Sequence, residues 1–559
     1  MENRRLVLFI VFTFSVFMLY EAWQRDSRPP QVAAPVAGVP AGPAQTAVPT
    51  PTQTLKPVPS ATSAQPAPTG ALQRGETVRV ETDIYVADIN TAGGDLRRLE
   101  LLAHRDTADQ KKNFLLLQEV EHTYIAQAGL IGNGLPNHRT KFTATTSAVK
   151  LADGEKSVSI RLTAPEAGGL KVTKVYTFYR GRYEIDVGFE VENKNSSAVS
   201  ADAYFQLVRD GKPPEGDSAM LPTYTGVAAY TDHQKFVKVP FTDLDKGKGD
   251  YPKKANDGWI AILQHYFLSA WLPKADAPRE FYALRGDSGL YSAGVILSLG
   301  SIEPGASASL AVPLYAGPQE QDKLETLSPG LELTVDYGSL TIIAKPLFSF
   351  LQWLYHWVGN WGVAIILLTV AIKAVFYPLS AASYRSMARM RVVAPKMQRL
   401  KEQFGDDRQR MSQAMMELYR TEKINPLGGC LPVVVQIPVF ISLYWVLLAS
   451  VELRHAPFML WLDDLSRPDT LFGVWFGMPI GLLPILMGAT MIFQTYLNPE
   501  PPDPVQAKIM KIMPIAFSIT FFFFPAGLVL YWLVNNVLSI AQQWQITHAM
   551  ENAKPAHGK

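Results

Sequence analysis

Cysteine is almost missing from this sequence. Cys430 is the only one in 559 residues, which excludes an internal disulfide and any all-cysteine metal site. There is no H-E-x-x-H stretch, so the zinc-protease arrangement is excluded, and no G-x-S-x-G elbow marks a serine nucleophile. A glycine-rich phosphate loop is also lacking, which leaves ATP-driven work without a site. Charge of one sign is scarce too: 52 Lys and Arg against 50 Asp and Glu give a net charge of +2, and this balance does not point to DNA as a partner. The last absence is local. Five long apolar runs in the C-terminal part contain no Asp, Glu or His, whereas proton-coupled transporters place carboxylates or histidine relays inside the membrane. Together these absences argue against an enzyme, a metal or a cofactor and toward passive handling of something amphipathic.

What is present changes character along the chain. Residues 1–23 set Arg4 and Arg5 ahead of the apolar run 6–20, as in signals and anchors. Glu21, Trp23, Gln24 and Arg25 stand where small residues mark cleavage, which favours an uncleaved N-terminal transmembrane anchor. Residues 24–74, rich in Pro, Ala, Thr, Gln and Ser, cannot bury a core and read as a linker. From 75 to 340 the pattern alternates with period two between frequent turns, which predicts a large exported antiparallel β-sandwich. Expected strands include 77–87, 156–162, a hairpin of Leu170–Tyr179 with 183–191 about Arg180-Gly181-Arg182, and 258–271; a helix is expected at 319–327. His104, His122, His138, His233 and His265 lack metal-ligand spacing and read as structural or surface groups.

Residues 341–359 are apolar on one helical face, with Trp353 and Trp357 one turn apart, and read as an amphipathic helix lying in the membrane interface. The five apolar runs follow within 360–548, at 361–379, 428–450, 478–497, 509–524 and 527–545. With the N-terminal anchor they make six transmembrane helices, so both termini are expected in the cytoplasm. Residues 384–423, between the second and third spans, carry about ten Lys and Arg, as cytoplasmic segments do. The loop between the third and fourth spans is acidic by comparison, and a short tail, 549–559, closes the chain.

Lys373 lies inside the second span, where a charge costs about 2.5–3.5 kcal/mol on insertion scales. Twelve residues from Trp361 at ~1.5 Å each place it ~18 Å into a hydrocarbon core ~30 Å thick, in the cytoplasmic half. Thr369 is one turn above and Tyr377 one turn below. Gln436 of the third span reaches a comparable depth, as do Asn535 and Asn536 of the sixth, with Tyr531 and Trp532 about one turn outward; Gln494 sits at the inner end of the fourth. A lysine without a carboxylate in any of these spans has three options. It snorkels to the interface, it is neutral and packed, or it lines a wet pocket where an acidic group of another molecule meets it. The amides at its level favour the pocket, and the rival use of such a cation is an anion-handling transporter or channel.

Between the second and third spans, 383–425 reads as two helices broken at Gly405-Asp406-Asp407, with Pro395 interrupting the first. Met387, Met390, Met411 and Met415 make this hairpin either self-packing or an adaptable surface for varied apolar segments. Its basic rim suits anionic lipid or ribosomal RNA.

The stretches NWGVAIILLTVAIKAVFYPLS, SMARMRVVAPKMQRLKEQFGDDRQRMSQAMMELYRTEKINPLGGCLPVVVQIPVFISLYWVL and FFFFPAGLVLYWLVNNVLSIAQQ resemble the YidC/Oxa/Alb family of membrane protein insertases, and WIAILQHYFLSAWLP and LTVDYG in the exported part agree. The resemblance covers nearly the whole chain outside the linker. It implies a membrane protein of six transmembrane α-helices with a five-helix core, carrying a large periplasmic antiparallel β-supersandwich of mutarotase-like fold. It implies a non-enzymatic insertase and chaperone of the bacterial inner membrane, working on nascent inner-membrane proteins both independently of the Sec translocon and together with it and its accessory subunits. The ribosome and the signal-recognition-particle pathway are the implied suppliers, and anionic lipids implied partners. The implied substrate groove is hydrophilic, open to the cytoplasm and centred on a positive charge. Its positions fall on Thr369, Lys373 and Trp532, with Gln436 and Asn535 as further polar lining. Many relatives carry Arg where this chain has Lys373, and the short tail departs from relatives with a long basic extension.

Overall fold

A computed structural model describes residues 73–552 apart from 108, 133, 215–222, 275–276, 287–288, 405–406, 423–430 and 498–503. The expected anchor and all but the end of the linker lie outside the described residues. The chain divides into two compact units between Val335 and Asp336.

Among the described residues the first unit holds two sheets, of ten and nine strands. Neighbours pair antiparallel except at one edge, where Thr77–Glu81 runs parallel to Ala148–Lys150. The expected hairpin forms from Leu170–Tyr179 and Glu184–Asn193, with Phe178 opposite Ile185 and Tyr176 opposite Val187. Gly181 turns it at φ +68, a backbone region that costs glycine nothing. Alternation sends Val172, Tyr176, Phe178, Ile185, Val187 and Val191 into the core.

Two expected strands are corrected. The 77–87 stretch is a hairpin of Thr77–Glu81 and Tyr85–Asn90, with Val80 opposite Ala87. The 258–271 stretch is also a hairpin, Trp259–Gln264 and Phe267–Trp271, turning at His265-Tyr266 with Tyr266 at φ +67. Every residue of both these strands is buried, so the apolar run continues on each side of the turn and conceals it.

The core of this unit contains an ion pair. Lys174 and Asp95 are both 0% exposed and 4.0 Å apart. The Lys174 ammonium donates to the carbonyls of Ala128 (2.9 Å) and Gly93 (3.2 Å). Asp95 accepts from the Gln127 amide at 3.0 Å and lies 3.7 Å from Arg97. Gln206 and Tyr282 extend the network through Gln127. Burial pushes the Asp95 carboxyl up to about 6 and the Lys174 ammonium down to about 8, against their mutual attraction.

The second unit is helical: α1 (Thr341–Val358), α2 (Trp361–Val375), α3 (Tyr377–Phe404), α4 (Arg408–Thr421), α5 (Leu431–Ala449), α6 (Leu482–Leu497), α7 (Pro504–Phe521) and α8 (Ala526–Asn552). Helix α1 buries Ala344, Phe348, Leu351 and Leu354 and exposes Trp353 and Trp357, the amphipathic division read from its sequence. Gly359 ends it at φ +65, and the Asn360 side chain caps α2 by accepting from the Val363 N–H at 3.0 Å. Helix α8 packs against α2, α3, α5 and α6, α7 against α6, and α1 against α2 and α5.

No single described helix is long and apolar enough to cross a membrane; Trp361–Val375 and Tyr377–Met390 meet those criteria only as a pair, bent by 66°. The expected span 361–379 therefore stops at Val375. Pro378 stands in the first turn of α3, where its missing N–H has no intrahelical partner to lose. Pro395, expected to interrupt the hairpin's first helix, lies inside continuous α3. Packing of Val393 and Met397 on Met415, Leu418 and Tyr419 of α4 holds the helix across it. The fourth expected span loses its first residues because Met478–Pro479 pairs with Val474–Trp475 in a short hairpin before α6.

Candidate functional site

Lys373 occupies the last turn of α2, immediately before the bend. Facing it is α8, whose Trp532, Asn535, Ser539 and Gln542 recur every three or four residues and so share one face. The Lys373 ammonium donates to Ser539 Oγ at 2.7 Å. That hydroxyl donates in turn to the Asn535 carbonyl at 2.7 Å, and the Asn535 side-chain oxygen accepts from the Gln436 amide at 2.9 Å. One continuous polar chain thus joins α2, α8 and α5. The adjoining face of α8 reaches α6 through Asn536, which donates to Thr490 Oγ1 at 3.3 Å, and the first face reaches the bend through Gln542, which donates to the Tyr377 carbonyl at 3.4 Å.

An ammonium has three donors, and one of those of Lys373 is used by a neutral hydroxyl. Among the described residues no carboxylate lies within ion-pair distance of it. The site therefore presents a half-buried cation with spare donors, backed by amides that can hydrogen-bond water.

The remaining expected residues take different places. Thr369 is 1% exposed and its hydroxyl donates to the Ile365 carbonyl of its own helix, 2.7 Å away. Trp532 packs edge-on against Phe440 (4.2 Å between ring centres) and Phe521 (4.8 Å), forming an apolar wall one turn before Asn535 along α8. Tyr531 is buried and stacks on Phe440. Tyr377 is exposed at the bend, and Gln494 is half-buried one turn beyond Thr490. In the hairpin Met415 packs on the α3 cluster, Met387, Met390 and Met411 are half-buried, and Met416 is exposed. Asp407 caps α4 by accepting from the N–H groups of Gln409 and Arg410, both at 3.1 Å.

Sequence reasoning missed Ser539, the group that holds Lys373. A lone serine in an apolar run carries little signal. Its spacing of four residues from Asn535 and three from Gln542 is the pattern that could have found it.

Residues 77–350 match the family model described as the YidC periplasmic domain, and residues 353–554 match the model described as 60Kd inner membrane protein. A relative called membrane protein insertase YidC in Nitrosospira multiformis is 55% identical, covering 99% of this chain and 98% of its own. The protein of that name in Aromatoleum aromaticum is 53% identical over the full length of both chains. A solved structure of an active YidC insertase with its first transmembrane domain resolved aligns at 18% identity and a TM-score of 0.39, covering 84% of this chain and 94% of that one.

Proposed function

Because the chain belongs to the YidC family of membrane protein insertases, it is an inner-membrane insertase with a periplasmic domain, and we propose that it works through the polar level centred on Lys373. In this reading six helices cross the membrane, both termini are cytoplasmic, and the β unit lies in the periplasm. A segment arriving from the cytoplasm places an acidic flanking residue near the Lys373 ammonium, while its apolar part leaves water along α2 and α8. Release of apolar surface from water supplies ~25 cal/mol per Å², so no reaction is catalysed; the protein lowers the barrier for the polar flank. The Sec translocon, the ribosome and the signal-recognition-particle pathway are proposed as partners. Anionic lipid is proposed to meet the basic α3–α4 hairpin, where Arg385, Arg389 and Arg410 are exposed.

The observation that carries this reading is the cation joined to a serine, an asparagine and a glutamine rather than to an acid. It is tested by reconstituting the purified chain in liposomes and following insertion of a short-tailed substrate. Lys373→Ala and Lys373→Glu should slow insertion of acidic-tailed substrates, and Lys373→Arg should retain it. Normal insertion by both the alanine and the glutamate variants refutes the charge role. Single cysteines at positions 436 and 535, in a Cys430→Ser background, should react with a water-soluble thiol reagent if this level is wet.

A further inference from the structure

The loop between α5 and α6 has a tip built from side chains that water does not favour. Val474–Trp475 and Met478–Pro479 pair antiparallel, closed below by the Phe472 N–H on the Ile480 carbonyl (2.9 Å) and the Ile480 N–H on the Gly473 carbonyl (2.8 Å). The two central turn residues are Phe476 at φ +53 and Gly477 at φ +79. Two positive φ values identify the turn type that ordinarily takes Asn-Gly or Gly-Gly. A bulky residue there is strained, yet Phe476 occupies it and is fully exposed, flanked by exposed Val474 and Trp475. Leu460, elsewhere in the same loop, repeats the combination of φ +57 and near-complete exposure. No charged residue lies between 470 and 481. Strain retained at an exposed position is a pointer to use, not to packing.

We propose that the 472–480 hairpin is an interfacial anchor whose Trp475–Phe476 edge lies in the outer leaflet of the bilayer. The occupant follows from place and chemistry. The hairpin connects directly to α6, whose apolar side chains Ile485, Leu486 and Phe493 are exposed for lipid. Its aromatic residues are of the kind enriched at the headgroup level. The hairpin's two-stranded form leaves outer-edge backbone groups that need water, which places it at the headgroup level and not in the hydrocarbon, while the Trp475 indole N–H is satisfied by the Phe472 carbonyl at 3.0 Å. The anchor would fix the outer end of α6 at a set depth. The proposal rests on the reading that this loop faces the periplasm.

The test uses the full chain with Cys430→Ser and a single cysteine at either 476 or 463, labelled with an environment-sensitive fluorophore in phosphatidylethanolamine–phosphatidylglycerol liposomes. Asp463 is exposed in the same loop and serves as the reference. A nitroxide on the lipid headgroup should quench the probe at 476 about five-fold more than that at 463, and aqueous iodide should show the reverse order. Equal access of iodide to both positions overturns the proposal, as does cross-linking between two copies at 476 with no quenching by the lipid nitroxide. An impermeant thiol reagent added outside reports the side of the membrane on which 463 lies, so an inverted topology is recognised separately from a tip that stays in water. Phe476→Asn, which suits the turn backbone, should keep the hairpin while lowering lipid quenching of a probe at 474.

Discussion

Removing the Lys174 ammonium from the β unit tests whether its buried pair is a source of stability or a constraint. Lys174→Met keeps the length of the side chain and deletes the charge 4.0 Å from Asp95. Asp95 retains Arg97 at 3.7 Å and the Gln127 amide at 3.0 Å, so it is not wholly stranded. Breaking a buried pair costs about 3–5 kcal/mol, and the retained partners place this case near ~3 kcal/mol. At about 2–4 °C per kcal/mol for a domain of this size, the thermal transition should fall by about 6–12 °C. Circular dichroism of the detergent-solubilised full chain, followed at a β-sheet wavelength, measures it. The double variant Asp95→Asn/Lys174→Met should recover most of the loss, because it leaves no uncompensated charge. The pH dependence has a defined sign. Asp95 is raised to about 6, so between the ordinary carboxylate range and pH 6 the native state holds the extra proton, and its contribution to stability is lost as pH rises through that window. Lys174 is lowered to about 8, so above that pH the unfolded chain holds the extra proton and stability is regained. The double variant should lack both slopes. A loss under ~1 kcal/mol for Lys174→Met, or a double variant as unstable as the sum of the singles, refutes the reasoning.

Ser539→Ala removes the acceptor of Lys373, a charge-assisted bond worth about 1.5–3 kcal/mol, and should lower insertion of acidic-tailed substrates in liposomes while Ser539→Thr retains it. Gln436→Leu leaves the Asn535 oxygen unpaired and should destabilise the helical unit by about 1–3 kcal/mol; adding Asn535→Leu should cost less than the sum, read from thermal unfolding in detergent. Gly362→Ala sets a Cβ 2.0 Å from the Phe458 ring, so the loop after α5 must shift at a cost of about 1–3 kcal/mol, visible as a lower unfolding temperature. The His455–Asp464 contact of 2.9 Å and the hydrogen bonds from Ser466 hold the Asp464 carboxyl low despite its burial; their contribution is present above the ordinary carboxylate range and disappears as pH falls below it, which Asp464→Asn should abolish in acid-unfolding curves.

Much of the β unit was legible because its signals are local. In the Leu170–Tyr179 hairpin, alternation and Gly181 specify both strands and turn. The 258–271 hairpin was not legible: both strands are buried on both faces, and Tyr266 takes a left-handed turn without glycine or asparagine to announce it. In the helical unit, depth counted along each span brought Lys373, Gln436 and Asn535 to one level, and the polar chain through α8 joins them. The link itself, Ser539, is a tertiary fact, since which helix faces α2 is not written in either segment. Thr369 sits at the counted level, yet its hydroxyl is satisfied by its own backbone, a choice open to any threonine in a helix.

The 66° bend at Phe376 gives the molecule a lever. Helix α3 has 28 residues, so it is ~42 Å long at ~1.5 Å per residue, and Lys373 stands only three residues before the pivot. A rotation of about 5° at Phe376 would swing the far end of α3 by about 4 Å while leaving the ammonium almost in place. Tyr384 of α3 shares Ser539 with that ammonium, and Gln542 holds the Tyr377 carbonyl just past the bend, so a tilt of the long arm is passed through α8 to the polar chain that the lysine closes.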